Sequence, residues 1–248
     1  MNTEAAPILE LRDVSFAAQG KPIVQDVSCV FPENRTTALV GPSGGGKSTV
    51  LKLAAGLIVP TRGKALYRGY EIATMNRLRN LEFRKNASFV FQDSALWANQ
   101  TLRQILELPL KIHNPRMKDG ERARKITEVL ATTGYRKDID VRPSQLSMGE
   151  QKLIAFSRAI LCDPKLLFLD EWTESLDDAA ARRLVNLVKA RKERGDTIVF
   201  VSHSYRIIKE LADTILMVED GRIKLNVTAQ EFAADENLAR TIEKGIAQ

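Results

Sequence analysis

The stretch GPSGGGKST, Gly41 to Thr49, constrains this chain more than any other. It satisfies G-x-x-x-x-G-K-[ST], with Gly46, Lys47 and Ser48 in place. It follows a strand-like run, Arg35 to Val40, and opens a helical pattern, Lys47 to Leu57, with Val50, Leu51, Leu53 and Ala54 on one side. A glycine-rich turn between strand and helix lets successive N–H groups curl around phosphate oxygens, and the helix N-terminus adds its dipole. Gly41, Pro42, Ser43, Gly44, Gly45, Gly46, Lys47, Ser48 and Thr49 are therefore expected to hold a nucleotide. Lys47 is expected at the β and γ phosphates, and Ser48 at Mg²⁺.

The rest of the chain reads as the α/β frame such a turn requires. Residues 8 to 31 alternate as β structure, and GKALYRGYEI suggests a short hairpin. Between Leu96 and Arg158 strand signals vanish and helical patterns replace them. From Lys165 the chain alternates again: LLFLD, AAARRLVNLVKARKERG, TIVFVS, RIIKELAD, TILMVEDG. That order predicts a parallel sheet with crossover helices, interrupted by a helical insertion. Thr228 and Glu231 have capping-box spacing and predict a helical tail. No internal repeat and no low-complexity segment is visible.

Composition excludes several classes. At 248 residues, 44% hydrophobic and 27% charged, the chain suits a folded α/β protein, not a disordered one. Apolar runs such as Leu51 to Val59 are too short to span a bilayer. No basic-then-apolar leader is visible at the N-terminus, so a cytoplasmic protein is expected unless a partner holds it at a membrane. Cys29 and Cys162 have no metal-site spacing and read as buried free thiols. The net charge of +6 is spread among acids and selects no partner.

LLFLDE, Leu166 to Glu171, is an apolar strand ending in two carboxylates, expected at the carboxyl edge of the sheet where ligands of open α/β folds bind. Asp170 suits a direct or second-sphere role toward Mg²⁺, and Glu171 suits the polarising of a water aimed at the γ-phosphate. His203 follows the strand TIVFVS and is expected at the same edge. His113, in a polar turn, reads as surface.

LSMGEQKLIAFSRAI, residues 146 to 160, reads as a core helix with a glycine at its start, where a better helix former would be less costly. Its order and spacing after the P-loop resemble the ATP-binding cassette (ABC) family, whose signature LSGGQ is written here LSMGE, with Leu146, Ser147 and Gly149 retained. The resemblance covers nearly the whole chain. It extends to Gln92 in FVFQDSALW as the Q-loop glutamine, to ESLD (Glu174 to Asp177) as the D-loop, and to His203 as the switch histidine.

The resemblance implies a P-loop NTPase core with an antiparallel β subdomain (residues 1–95 and 159–248) and an inserted α-helical subdomain (96–158). It implies ATP and Mg²⁺ as ligands, with Ser48, Gln92 and Asp170 toward the metal and Glu171, His203 and Gln92 in catalysis. Ser147 and Gly149 would face the γ-phosphate held by a second subunit, and Asp177 would lie near that dimer interface. Phosphate approach is the use it implies for Gly149. Partners would be a second cassette, expected to be a copy of this chain, and separate transmembrane permease subunits that hold the cassette at the inner face of the membrane. No nucleic acid is expected.

FQDSALWANQTLRQILELPLK is similar to cassettes of MCE-type lipid transporters, in which FQ-x-x-ALF precedes a helix ending in a Pro-Leu pair. Gln92, Ala95, Leu96, Trp97, Pro109 and Leu110 carry that similarity. It implies phospholipid transport with an MCE-type lipid-binding partner. An importer for another small solute, a non-transport ATPase and an inactive subunit stay open. Four positions depart from the family: Ala18 stands where an adenine-stacking aromatic is usual, Trp172 where a proline follows the glutamate, and Met148 and Glu150 within the signature.

Overall fold

The computed structural model describes residues 7–247. Residues 1–6, with the start of the expected nucleotide core, and residue 248 lie outside the described residues.

Two long strands, β1 (Pro7–Ala18) and β2 (Lys21–Pro32), pair antiparallel through a turn at Gln19 and Gly20. β3 (Thr36–Val40) leads into the glycine-rich turn and α1 (Lys47–Ala54). β4 (Arg62–Tyr67), β5 (Tyr70–Glu71), α2 (Arg77–Asn86) and β6 (Ala87–Val90) follow. Three helices come next: α3 (Leu102–His113), α4 (Asp119–Thr133) and α5 (Met148–Ile160). The chain then alternates: β7 (Leu166–Asp170), α6 (Asp178–Glu193), β8 (Thr197–Val201), α7 (Tyr205–Leu211), β9 (Thr214–Glu219), β10 (Arg222–Thr228), α8 (Ala229–Ala234) and α9 (Glu236–Ala247).

The central sheet runs β10-β9-β3-β8-β7-β6, parallel except for β10, and a second, antiparallel sheet runs β2-β1-β4-β5. Successive residues of β7 show why both faces must be covered. Leu166 and Phe168 join the core shared with the antiparallel sheet and α1, while Leu167 and Leu169 join the core under α3, α5 and α6. That is the period-two alternation of a strand buried on both sides. β7, β8 and β3 carry their sequences into one edge, where Val40, Asp170 and Val201 end the strands. The P-loop, the paired carboxylates and His203 all follow from that edge.

Several elements differ from expectation. α3 runs to His113 with Pro109 inside it. An interior proline costs roughly 3 kcal/mol. Ile105, Leu106 and Leu110 are fully buried on the same helix, each stabilising by about 2 kcal/mol, and together they outweigh it. His113 is the last residue of that helix and half-buried, not a surface turn residue. Thr228 does close a capping box with Glu231, but the tail is two helices, anchored by buried Phe232 and Ile242. Cys29 is buried, which pushes its thiol up to about 12; Cys162 is half-buried.

Candidate nucleotide site

The turn after β3 is shaped by what surrounds it. Gly46 caps α1 in the left-handed region, φ 101°, and a Cβ there would stand 3.0 Å from the Ile23 carbonyl oxygen. Gly221, in the β9–β10 turn, donates its N–H to Gly45 O at 3.0 Å and accepts from Gln25 N at 2.8 Å. The P-loop is thus held from both sheets.

Lys47 is buried and donates to Gly41 O at 2.9 Å and Pro42 O at 2.8 Å, folding back over its own loop. Burial lowers its pKa, opposed by the nearby Glu171 and Asp170. Ser48 Oγ donates to Asp170 Oδ1 at 2.8 Å, so a hydroxyl in the first turn of α1 meets the last residue of β7. Burial pushes the Asp170 carboxyl up, against the pull of that hydrogen bond.

Glu171 leaves the strand in a left-handed conformation, φ 45°, with its N–H on Val201 O at 3.2 Å. Its Oε1 lies 3.2 Å from His203 Nε2, an ion pair only when the imidazole is protonated, and accepts no hydrogen bond from the described residues. Burial raises the Glu171 pKa; His203 opposes it and Asp170 adds to it. Trp172, where the family has proline, is fully buried and meets Phe200 edge-on at 5.3 Å. It packs as core and pins the chain directly after Glu171. A cleft of about 370 Å³ joins Gly44, Lys47, Ser48, Gln92, Glu171 and His203.

The donors fit a nucleotide and a hard cation. Ser48 and Asp170 offer oxygen ligands, and the turn offers N–H groups and one ammonium for phosphate. The fit is less complete at Gln92, whose Nε2 donates to Glu174 Oε2 at 3.1 Å. Gln92 lines the nucleotide cleft and also a neighbouring cleft of about 420 Å³.

Ser147, Gly149 and Asp177 are not brought to the P-loop cleft of their own chain. Ser147 caps α5; its Oγ accepts from Glu150 N at 3.3 Å and donates to Glu150 Oε2 at 3.0 Å. Glu150 also meets Lys137 at 2.5 Å, which with Ser147 lowers its pKa. Gly149 has a nearer reason than phosphate approach: a Cβ there would stand 2.8 Å from Ser175 O. Asp177 caps α6, its Oδ1 accepting from Ala180 N at 2.7 Å.

Sequence reasoning passed over Lys152. It lies on the buried stripe of α5 with Ala155, Phe156 and Ala159 and is 2% exposed. A lysine at an apolar position of a helical pattern was the available signal. Its Nζ donates to Phe91 O at 3.3 Å and to Gln92 O.

A family model described as ABC transporter matches residues 24–174. The chain belongs to the ABC transporter family. It is an ABC ATPase, the ATP-binding subunit of an ABC transporter. The nickel import ATP-binding protein NikE of Escherichia coli (strain K12) is 30% identical over 233 residues, 92% of this chain and 87% of that protein. NikE of Shigella flexneri serotype 5b (strain 8401) is 32% identical over 209 residues, 83% and 78%.

Among solved structures, the ABC cassette MJ0796, a dimer in a post-hydrolysis state with ADP and Pi, superposes with a TM-score of 0.82 at 26% identity. It covers 89% of this chain and 98% of that one. CbiO1 from Clostridium perfringens, part of the ABC transporter complex cbiONQ, gives 0.73 at 25% identity, covering 96% and 95%. These relatives lend no support to phospholipid as cargo or to an MCE-type partner. Among the described residues no helix is long and apolar enough to cross a membrane.

Proposed function

We propose that this chain is the ATP-hydrolysing cassette of an importer for a small solute, of the class the nickel import proteins serve, working through separate permease subunits at the inner face of a membrane. The observation that carries the hydrolytic part is the convergence of Ser48, Asp170, Glu171 and His203 at one sheet edge beneath the P-loop. The importer part rests on the NikE relatives.

In this reading the P-loop N–H groups and Lys47 bind the phosphates, Lys47 exchanging its loop carbonyls for phosphate oxygens. Ser48 and Asp170 hold Mg²⁺, with Gln92 as a further contact. Mg²⁺, when bound, neutralises charge on the transferred phosphoryl group. Glu171 accepts a hydrogen bond from the attacking water, and His203 fixes the γ-phosphate beside it. A second cassette supplies Ser147 and Gly149 in trans, with Asp177 near that interface. Residues 1–95 and 159–248 form the nucleotide core and 96–158 the helical subdomain.

The test is purification from native membranes in mild detergent, with turnover of wild type compared with Glu171→Gln. A permease and a solute-binding protein, with turnover abolished in the variant, is the expected result. An MCE-type protein with enriched phospholipid would sink the solute reading, and turnover equal in both proteins would sink the role of Glu171.

A further inference from the structure

Gln92 is gripped at both ends by residues the hydrolytic cycle above leaves without a task. Its carbonyl and that of Phe91 accept from Lys152 Nζ, and its side-chain Nε2 donates to Glu174 Oε2 at 3.1 Å. Lys152 reaches it from the interior of α5, the helix that Ser147 caps. Glu174 reaches it from the turn after β7, where its own N–H bonds to Glu171 O at 3.2 Å. One residue thus joins three elements that are distant in sequence.

The two grips differ in kind. Lys152 is 2% exposed, and a buried ammonium must be hydrogen-bonded or neutralised. Burial lowers its pKa, and Glu174, Asp170 and Asp93 oppose that shift. Its donation to two successive carbonyls fixes the main chain at Gln92, leaving the side chain to turn about a held pivot. The Glu174 contact is exposed and therefore exchangeable. Gln92 borders both the P-loop cleft and the cleft that holds Glu174. Glu174 holds the amide nitrogen while a nucleotide-bound metal would take the amide oxygen, so at rest the Glu174 hydrogen bond and not the nucleotide sets the rotamer of the amide.

We propose that Lys152 and Glu174 are positioning residues for Gln92: Lys152 sets the pivot, and Glu174 is the resting acceptor that fixes the orientation of the amide until nucleotide and metal are bound. This rests on the reading of Gln92 as a contact of the metal-bound nucleotide. It makes the signature helix a lever on the nucleotide cleft of its own chain, because any tilt of α5 carries Lys152 and the Gln92 main chain with it.

Calorimetric titration of ATP into the full chain tests this, with every protein carrying Glu171→Gln so that turnover does not intervene, once with Mg²⁺ and once with EDTA. One hydrogen bond exchanged against water is worth up to about tenfold in affinity. Glu174→Ala is expected to tighten Mg²⁺–ATP binding about threefold to tenfold, and Lys152→Met to weaken it about tenfold. Lys152→Arg, which keeps two donors, restores most of that loss. In EDTA these differences vanish, and added to Gln92→Ala neither substitution has an effect of its own.

Unchanged affinity in Glu174→Ala, or effects that persist in EDTA or without Gln92, would overturn the proposal and leave both residues purely structural. If Lys152→Met does not fold by circular dichroism, the Glu174–Gln92 cycle at the surface decides alone. Because binding is read, a wild-type chain without turnover would count against the hydrolytic reading and not against this one.

Discussion

His203 Nε2 stands 3.2 Å from Glu171 Oε1, although the two residues leave different strands, β8 and β7. Neighbouring parallel strands ending in register bring them together, and the buried Oε1 lacks a hydrogen-bond partner among the described residues. The Glu171 carboxylate lines the cleft, where a water proton would be received. General-base assistance is worth about 10²–10⁴ in rate. Glu171→Gln is expected to lower turnover by at least about 100-fold while ATP binding survives, checked by phosphate release and by nucleotide binding on the same preparation.

The same burial sets a pH dependence. Glu171 and Asp170 both have pKa values raised by burial above the ordinary 4.5 and 3.8. A protonated Glu171 cannot accept from water, and a protonated Asp170 is a poor metal ligand. Activity therefore falls as pH drops through the raised values, so the acid limb of kcat/KM lies above the ordinary carboxylate range. The stability sign is opposite: a raised carboxyl pKa stabilises the folded chain at low pH and ceases to do so as pH rises through the folded value. An acid limb at or below 4.5 would contradict the assignment of Glu171.

At the base end of the cleft, the β1–β2 hairpin pairs Ala18 with Lys21 and brings Ile23 against Gly46. The position that the family fills with an aromatic platform carries a methyl group. Stacking on an aromatic contributes about 1–3 kcal/mol per base. We expect ATP and GTP to be turned over with similar kcat/KM, within about threefold. Ala18→Tyr should lower the KM for ATP about tenfold with kcat little changed, read from steady-state kinetics with both nucleotides.

Stability is concentrated at the opposite edge of the sheet. The Asp196 carboxylate is fully enclosed and meets Arg191 at 2.7 Å, Arg194 at 2.6 Å and Lys165 at 3.3 Å. Arg191 is itself buried and also donates to Pro164 O at 3.1 Å. Removing one member of a buried pair leaves an uncompensated charge, about 3–5 kcal/mol. Asp196→Asn should lower the thermal midpoint by roughly 10 °C, by calorimetry, with ATP affinity unchanged at that distance from the P-loop.

The elements that position the site were legible because their signals are local. The glycine-rich turn, the apolar run before Asp170 and the capping box at Thr228 each follow from neighbouring residues. α2 and β10 were not. α2 buries only Phe83 and has no strong apolar period, whereas β10 does alternate, with Ile223, Leu225 and Val227 between polar residues, a strand signal that was passed over. Pro109 sits inside α3, where the burial of Ile105, Leu106 and Leu110 on the same helix offsets its cost. Gly149 shows the limit of reading a glycine by function, since its nearest constraint is the Ser175 carbonyl. The Lys152–Gln92–Glu174 grip joins three segments that no spacing rule connects.

The packing of Trp172 gives the molecule a built-in optical reporter. Its indole is sealed from water one residue past Glu171, whereas the chain's other tryptophan, Trp97, is 45% exposed with Arg158 over its ring. A Trp97→Phe chain would emit from a single blue-shifted fluorophore rigidly joined to the loop that carries Glu171. Rearrangement of that loop could then be timed in stopped flow, without attaching any dye to the protein.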